Sequence, residues 1–258
     1  MSHMVSPSTI LITGATGGIG GALALAYAET GKTLILQGRN SQRLNELVNE
    51  CEALGARVVT GVVDVRQIEE LSIWLKSVFS QQEIDLVILN AGVNTHIGLD
   101  GVGESWDAVK AVIETNVLSV MAATNIILPF MRVRGKGQIA FISSLAAYVG
   151  LPITPSYCAS KAAIKVYGEA LRVGLSSEGI QVNVVMPGYV ESEMCRQMPG
   201  PKPFLWTADK AARVIKKGLA HNQARISFPF PLNFGTWWLS VFPSALTGWI
   251  LRVLNYVG

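Results

Sequence analysis

Short runs that are apolar almost throughout alternate along this chain with longer stretches that are apolar only at helical spacing, and few folds accept that alternation. Residues 10–12, 34–36, 58–63, 86–89, 139–142 and 182–185 are short, rich in β-branched residues and bounded by Gly, Asn, Asp or Pro, as buried strands are. Between them the helical pattern runs over residues 20–30, 41–54, 67–79, 106–131, 155–177 and 208–220. A strand with no polar face must be covered on both sides. Such strands, separated by helices, predict a parallel sheet packed between two helical layers. Right-handed crossovers then give a Rossmann-type, doubly wound α/β/α fold. A length of 258 residues fits one such domain, and no repeat, linker or low-complexity tract marks a second.

Composition narrows the partners. Lys and Arg are scattered and the formal net charge is only +3, so no basic stripe points to nucleic acid. Half the residues are hydrophobic and 15% charged, and the mean hydropathy of +0.37 requires a deep core or an apolar surface. Cys51, Cys158 and Cys195 are an odd number without CxxC or Cys/His spacing, which predicts reduced thiols, no metal and a cytoplasmic setting. Met1 to Met4 reads as a cloning remnant, which removes His3 from consideration, and no secretory signal follows.

The first strand runs into Thr13-Gly14-Ala15-Thr16-Gly17-Gly18-Ile19-Gly20, and a helix pattern begins at once. Glycines let the backbone N–H groups approach a pyrophosphate, and the helix N-terminus adds partial positive charge, so the loop predicts a bound dinucleotide. Gly14, Thr16, Gly18, Ile19 and Gly20 are its contact candidates. The second strand ends at Gln37-Gly38-Arg39-Asn40, without the carboxylate that would accept ribose hydroxyls in NAD(H). Arg39 can instead make charge-assisted bonds to a 2′-phosphate, which predicts NADP(H) rather than NAD(H); Arg43 is a weaker second candidate. Asp64 and Val65, after the third strand, are placed for the adenine, although Asp64 could equally cap the helix that follows.

Tyr157 and Lys161 sit at i and i+4 on one helix face. A free phenol has a pKa of about 10, and a neighbouring ammonium and positive nicotinamide ring would both bring it toward the working range. Ser143 and Ser144 end the fifth strand and Asn90-Ala91-Gly92 the fourth, at the carboxyl edge where parallel sheets place ligands. Asn116 is a polar residue inside an apolar helical run, and is either functional or a core amide bonded to a neighbouring backbone group.

Together these residues resemble the classical short-chain dehydrogenase/reductase family in order and spacing. The resemblance covers roughly residues 8 to 195 and rests on the T-G-x-x-x-G-x-G loop, the N-A-G turn at Asn90–Gly92 and the Pro187-Gly188 turn. It implies Asn116, Ser144, Tyr157 and Lys161 as the catalytic tetrad. Ser144 is preferred to Ser143 because the family's serine stands 13 positions before its tyrosine. Ser144 would then hold the substrate oxygen, Tyr157 pass the proton, Lys161 lower the Tyr157 pKa and bind the ribose, and Asn116 fix a relay water. Pro187, Gly188, Val190 and Ser192 would lie beside the nicotinamide, Ser192 standing where many members have threonine. Pairing through the helices of Asn116 and Tyr157, as a homodimer or homotetramer, is also implied.

Residues 1–7 are accordingly read as a start segment, 8–225 as the NADP(H)-binding catalytic domain and 226–258 as an apolar tail. From Ile226 to Leu251 there is no charged residue, and Trp237, Trp238 and Trp249 lie in this stretch. Proline interruptions argue against one spanning helix and predict two short helices split at Pro243. The tail is read as a peripheral membrane contact, with a pocket cap or subunit interface as the alternative. The loop carrying Met194, Met198, Phe204, Leu205 and Trp206 reads as an apolar lid over a small lipophilic substrate. The functional expectation is a carbonyl reductase or alcohol dehydrogenase that uses NADP(H). Its alternatives are a soluble 3-oxoacyl-carrier-protein-type reductase and a non-catalytic NADP(H)-binding sensor or scaffold.

Overall fold

The computed structural model describes residues 6–97 and 103–253; the start peptide read at Met1 to Met4 and the end of the tail lie outside the described residues. The strands are β1 (Thr9–Ile12), β2 (Thr33–Gly38), β3 (Arg57–Val62), β4 (Leu86–Leu89), β5 (Gly137–Ile142), β6 (Ile180–Pro187) and β7 (Arg225–Phe228). They form one sheet in the order β3-β2-β1-β4-β5-β6-β7, and every neighbouring pair is parallel. The order reverses between β1 and β4, so a crevice opens at their carboxyl ends.

The apolar strands now have their reason. Ile10, Ile12, Leu34, Leu36, Leu86 and Ile88 face a core shared with α1 (Gly18–Tyr27), α2 (Ser41–Ala53) and α8 (Ala208–Ala220). Their neighbours Leu11, Ile35, Val87 and Leu89 face a second core with α3 (Ile68–Gln81), α5 (Ser119–Arg134) and α6 (Pro155–Leu175). Successive side chains of a strand point to opposite faces, so a sheet covered twice needs apolar residues at both.

Two elements depart from the expected pattern. The helix expected over 106–131 is α4 (Trp106–Ile113), a π-helical turn over Glu114–Leu118 and then α5. The wider turn holds Asn116, and such insertions often serve to aim a side chain. This run is long and apolar enough to cross a membrane by length and composition, but half of its most apolar window is buried. Val120, Ile127 and Met131 pack into the second core. β7 was not expected at all. Its residues pair with β6 from Val184↔Arg225 to Pro187↔Phe228, so a tail boundary at 226 cuts through a strand. Only Ile226 and Phe228 of this edge strand are buried, too short an alternation to stand out before the prolines. The tail helices are as expected: α9 (Leu232–Val241) and α10 (Ser244–Val253) break at Pro243.

Candidate active site

The loop between β1 and α1 is held by close backbone approach. Gly14 has φ +63, and a Cβ there would sit 2.7 Å from the Ala91 Cα. A Cβ on Gly20 would sit 2.3 Å from the Gly14 carbonyl oxygen, and one on Gly18 2.7 Å from the Glu191 oxygen. Asn90 Nδ2 donates to the carbonyls of Thr13 and Gly14 at 3.0 Å each, and Thr13 Oγ1 accepts from the Asn90 and Ala91 N–H groups. Gln37, 2% exposed, receives the Gly14 N–H on Oε1 at 2.9 Å and donates Nε2 to Val63. Gln37, notable in the sequence only as the absence of an acid, thus ties the loop to β2 and to the end of β3. At the start of α1 no side chain caps the helix and no acid occupies the first turn, which leaves N–H groups and partial positive charge for a phosphate.

Beyond this loop Gly38 gives room to Thr16, whose Cγ2 would lie 2.9 Å from a Cβ there. The Arg39 side chain is 58% exposed and its Nη1 lies 3.7 Å from Asp64 Oδ2. Asp64 is engaged more closely by Arg66, from Nε to both oxygens at 3.1 Å and from Nη2 at 2.6 Å. These bonds and the two cations hold its carboxyl below the usual range against the cost of burial. Its Oδ1 also accepts the Arg66 N–H, but α3 starts only at Ile68 with Gln67 at its N-cap and no side-chain cap bond, so the capping role weighed for Asp64 is not realised.

The α6 helix carries the reactive pair. Its N-terminus is held by Glu104, which accepts the Ser156 N–H at 3.0 Å and the Ser156 hydroxyl at 2.8 Å. Lys161, 5% exposed, donates Nζ to the Ile142 carbonyl at 3.0 Å and lies 5.6 Å from the centre of the Tyr157 ring. Ser144 lies near enough to Tyr157 to pull on its phenol, while its own hydroxyl donates to the Pro187 carbonyl at 3.4 Å and accepts the Ala146 N–H at 3.1 Å. Ser143 is used elsewhere, its buried hydroxyl donating to the Lys161 carbonyl at 2.8 Å, and so Ser144 is the serine that faces the tyrosine. Burial pushes the Tyr157 phenol up to about 12, against the nearby Ser144 hydroxyl, which pulls it down. Burial also pushes the Lys161 ammonium down to about 8. The Tyr157 shift comes from burial, Ser144, Cys158 and Cys195 and not from Lys161, so the downward pull expected of Lys161 is not realised in the protein itself.

Asn116, 1% exposed, lies behind this pair. Its Oδ1 accepts the Val93 N–H at 2.8 Å, and Nδ2 donates to the Val93 carbonyl at 2.9 Å and to Ser160 Oγ at 3.0 Å. The side chain thus clamps the loop segment that continues the N-A-G turn, as the core-amide alternative required. A Cβ on Gly92 would lie 3.3 Å from both Asn116 Oδ1 and Lys161 Nζ, which shows how closely the three converge.

A single cavity of about 1510 Å³ joins these parts. Gly14, Thr16, Gly18, Ile19, Arg39, Asp64, Val65, Asn90, Ala91 and Gly92 line it, with Ser144, Tyr157, Lys161, Pro187, Gly188, Val190 and Ser192. Gly20 and Asn116 do not reach it and act from behind its wall. The Ser192 hydroxyl caps the short helix α7 (Glu193–Gln197) by accepting the Cys195 N–H at 3.0 Å. Met194, Met198 and Phe204 of the expected lid line the cavity, but Leu205 and Trp206 do not. Trp206 instead stacks on Phe228, with ring centres 5.0 Å apart and planes at 12°. The remaining wall comes from the tail, in keeping with the pocket-cap alternative: Leu232, Trp238, Leu239, Phe242, Ile250 and Leu251 line the same cavity.

Comparison with known proteins agrees with this geometry. The family model for short chain dehydrogenase matches residues 8–201. An uncharacterised oxidoreductase of Myxococcus xanthus is 33% identical over 94% of this chain and 95% of its own length. The 3-oxoacyl-[acyl-carrier-protein] reductase of Thermotoga maritima is 35% identical over 73% of this chain and 76% of its own. Among solved structures, a short-chain dehydrogenase from Burkholderia cenocepacia in complex with NADP superposes with a TM-score of 0.80 at 25% identity, covering 95% of this chain and 97% of that one. With the family matched through the glycine loop, the tyrosine–lysine helix and the Pro-Gly turn, this chain belongs to the short-chain dehydrogenase family of oxidoreductases.

Proposed function

We propose that this protein is an NADP(H)-dependent carbonyl reductase or alcohol dehydrogenase whose substrate is an apolar ketone or alcohol. One observation carries the reading: Tyr157, with Ser144 and Lys161 beside it, stands in one cavity between a glycine-built anion cradle and an apolar wall. The cradle suits a dinucleotide pyrophosphate, since a Cβ on Gly14 or Gly18 would fill it and the α1 N-terminus is uncapped. Arg39, exposed at the end of β2, suits a 2′-phosphate. The NADP bound by the Burkholderia relative is consistent with that assignment.

The nicotinamide ring, when bound, supplies the hydride and, in its oxidised form, a positive charge beside the phenol. The remaining steps belong to the chain. Ser144 hydrogen-bonds the substrate oxygen and stabilises the charge that develops there. Tyr157 gives that oxygen its proton in reduction and removes it in oxidation. Lys161, fixed by the Ile142 carbonyl, holds a positive charge near the phenol and the ribose hydroxyls. Asn116 holds the Val93 loop segment and Ser160 in place behind Lys161, and a relay water would reach Lys161 from this side.

Methionine, leucine and aromatic side chains from the lid and tail surround the substrate end. A lipophilic carbonyl desolvates well there, whereas a sugar would leave its hydroxyls without partners. A carrier-protein-linked ketoacyl substrate is the second reading, favoured by the Thermotoga relative. The deciding measurement is NADPH oxidation over a panel of lipophilic ketones and a carrier-linked ketoacyl substrate, with NADH in parallel. The proposal expects turnover of free lipophilic ketones with NADPH preferred; turnover confined to the carrier-linked substrate selects the second reading, and inactivity across the panel removes the proposal.

The outer face of the tail supports a bilayer contact. Phe230 is 77% exposed, Trp249 60% and Phe234 52%, on a segment without charge up to Arg252. Co-sedimentation with phosphatidylcholine vesicles tests it: the contact requires binding that Phe230→Ser with Trp249→Ser reduces. Val133, Val166 and Val173, at 90%, 60% and 78% exposed on α5 and α6, support pairing of two copies through these helices, which light scattering measures.

A further inference from the structure

Two arginines compete for Asp64 at the adenosine end of the cavity, and only one holds it. Arg66 takes both carboxylate oxygens in a bidentate grip, its Nη2 at 2.6 Å from Oδ2. Arg39 Nη1 stops at 3.7 Å from the same oxygen, beyond hydrogen-bond length, with most of its side chain in solvent. Asp64 and Arg39 line the cavity, whereas Arg66 does not. The cation outside the cavity therefore satisfies the acid inside it. Without Arg66, Asp64 would draw Arg39 into the ion pair, and its charge would face an incoming phosphate unneutralised. The other charged groups on this part of the lining are Arg43, Glu46 and Glu50 of α2, and neither glutamate pairs with Arg39, whose ion-pair partner among the described residues is Asp64.

We propose that Arg66 is a positioning residue for cofactor selection: by occupying Asp64 it frees Arg39 to bind the 2′-phosphate that distinguishes NADPH from NADH. This rests on the NADP(H) reading above. The interaction is partly solvated, so its effect is modest and electrostatic rather than all-or-none.

The test is the ratio of NADH to NADPH dissociation constants, read by quenching of protein fluorescence in the full chain at low salt. Because the ratio cancels any change that affects both nucleotides alike, a merely structural role for Arg66 does not move it. Arg66→Gln is expected to lower the ratio about five- to tenfold, almost entirely through weaker NADPH binding. Adding Asp64→Asn, which keeps an acceptor but removes the charge, is expected to restore it to within about twofold, and Arg66→Lys to retain an intermediate preference. A wild-type NADPH preference that survives Arg66→Gln unchanged, or a loss that Asp64→Asn fails to rescue, overturns the inference alone. Equal wild-type binding of NADH and NADPH overturns the cofactor reading and the inference together.

Discussion

The two ends of the cavity are built from different materials. At the dinucleotide end the contacts are backbone: glycine turns, an uncapped helix start and a loop pinned by Thr13, Gln37 and Asn90. At the substrate end they are side chains, apolar and borrowed from the lid and from α9 and α10. A backbone-built site tolerates almost no substitution, because a Cβ has nowhere to go. A wall of apolar side chains accepts any set of similar volume, so it can change substrate without disturbing the fold. Tyr157 stands where the two ends meet.

The sharpest test of that division is Tyr157→Phe, which removes the proton donor and leaves both ends intact. Turnover should fall by about a thousandfold or more, while NADPH binding stays within about twofold. Undiminished turnover would falsify the assigned chemistry. Gly20→Ala attacks the backbone end, where the added Cβ would meet the Gly14 carbonyl oxygen at 2.3 Å and Asn90 Nδ2 at 2.7 Å. It should weaken NADPH binding by about tenfold or more and destabilise the fold by about 1–3 kcal/mol. Nucleotide titration and urea denaturation measure the two effects, and a variant that binds normally would show that the loop is looser than its contacts imply.

At the other end, Leu239→Ala removes part of the apolar wall. An effect of about tenfold on KM for a lipophilic ketone is expected, with the NADPH dissociation constant unchanged. Equal loss of cofactor and substrate affinity would mean that the ends are not separable, and steady-state kinetics beside nucleotide titration decides it.

The same division explains what the sequence revealed. The glycine loop was legible because close backbone approach admits only glycine at Gly14, Gly18 and Gly20. Tyr157 and Lys161 were legible through their helical spacing and through the motifs around them. The strands were legible because two covered faces demand apolar residues at every position. The role of Asn116 was not, since an amide inside an apolar helix looks alike whether it holds a ligand or, as here, the Val93 backbone. Nor was the π-turn around it, because one extra residue per turn leaves no mark over so short a run. β7 was hidden by its length, and the pocket-facing side of the tail by chemistry. Leu239 and Leu251 would look the same against a bilayer, a partner or a substrate.

The smallest expected effect lies at the junction and concerns stability rather than rate. Folding lowers the Lys161 ammonium from its ordinary 10.5 to about 8. Between those values the unfolded chain binds more protons than the folded one, so stability rises with pH. Tyr157, raised to about 12 from 10.0, and Cys51, raised to about 11 from 9.0, act in the opposite sense, because their folded forms retain protons that the unfolded chain has released. Cys158 and Cys195 are raised in the same direction, and the cysteine contributions are already under way between pH 8 and 9, so Lys161 is read there by comparing wild type with a variant that lacks the ammonium. Across that window wild type should gain about 1 kcal/mol relative to Lys161→Met in urea denaturation of the cofactor-free protein. A Lys161→Met profile parallel to wild type would show that the ammonium is better solvated than its burial and its bond to Ile142 indicate. The junction would then belong with the open, solvated end of the cavity, and the charge near Tyr157 would be set by water rather than by the fold.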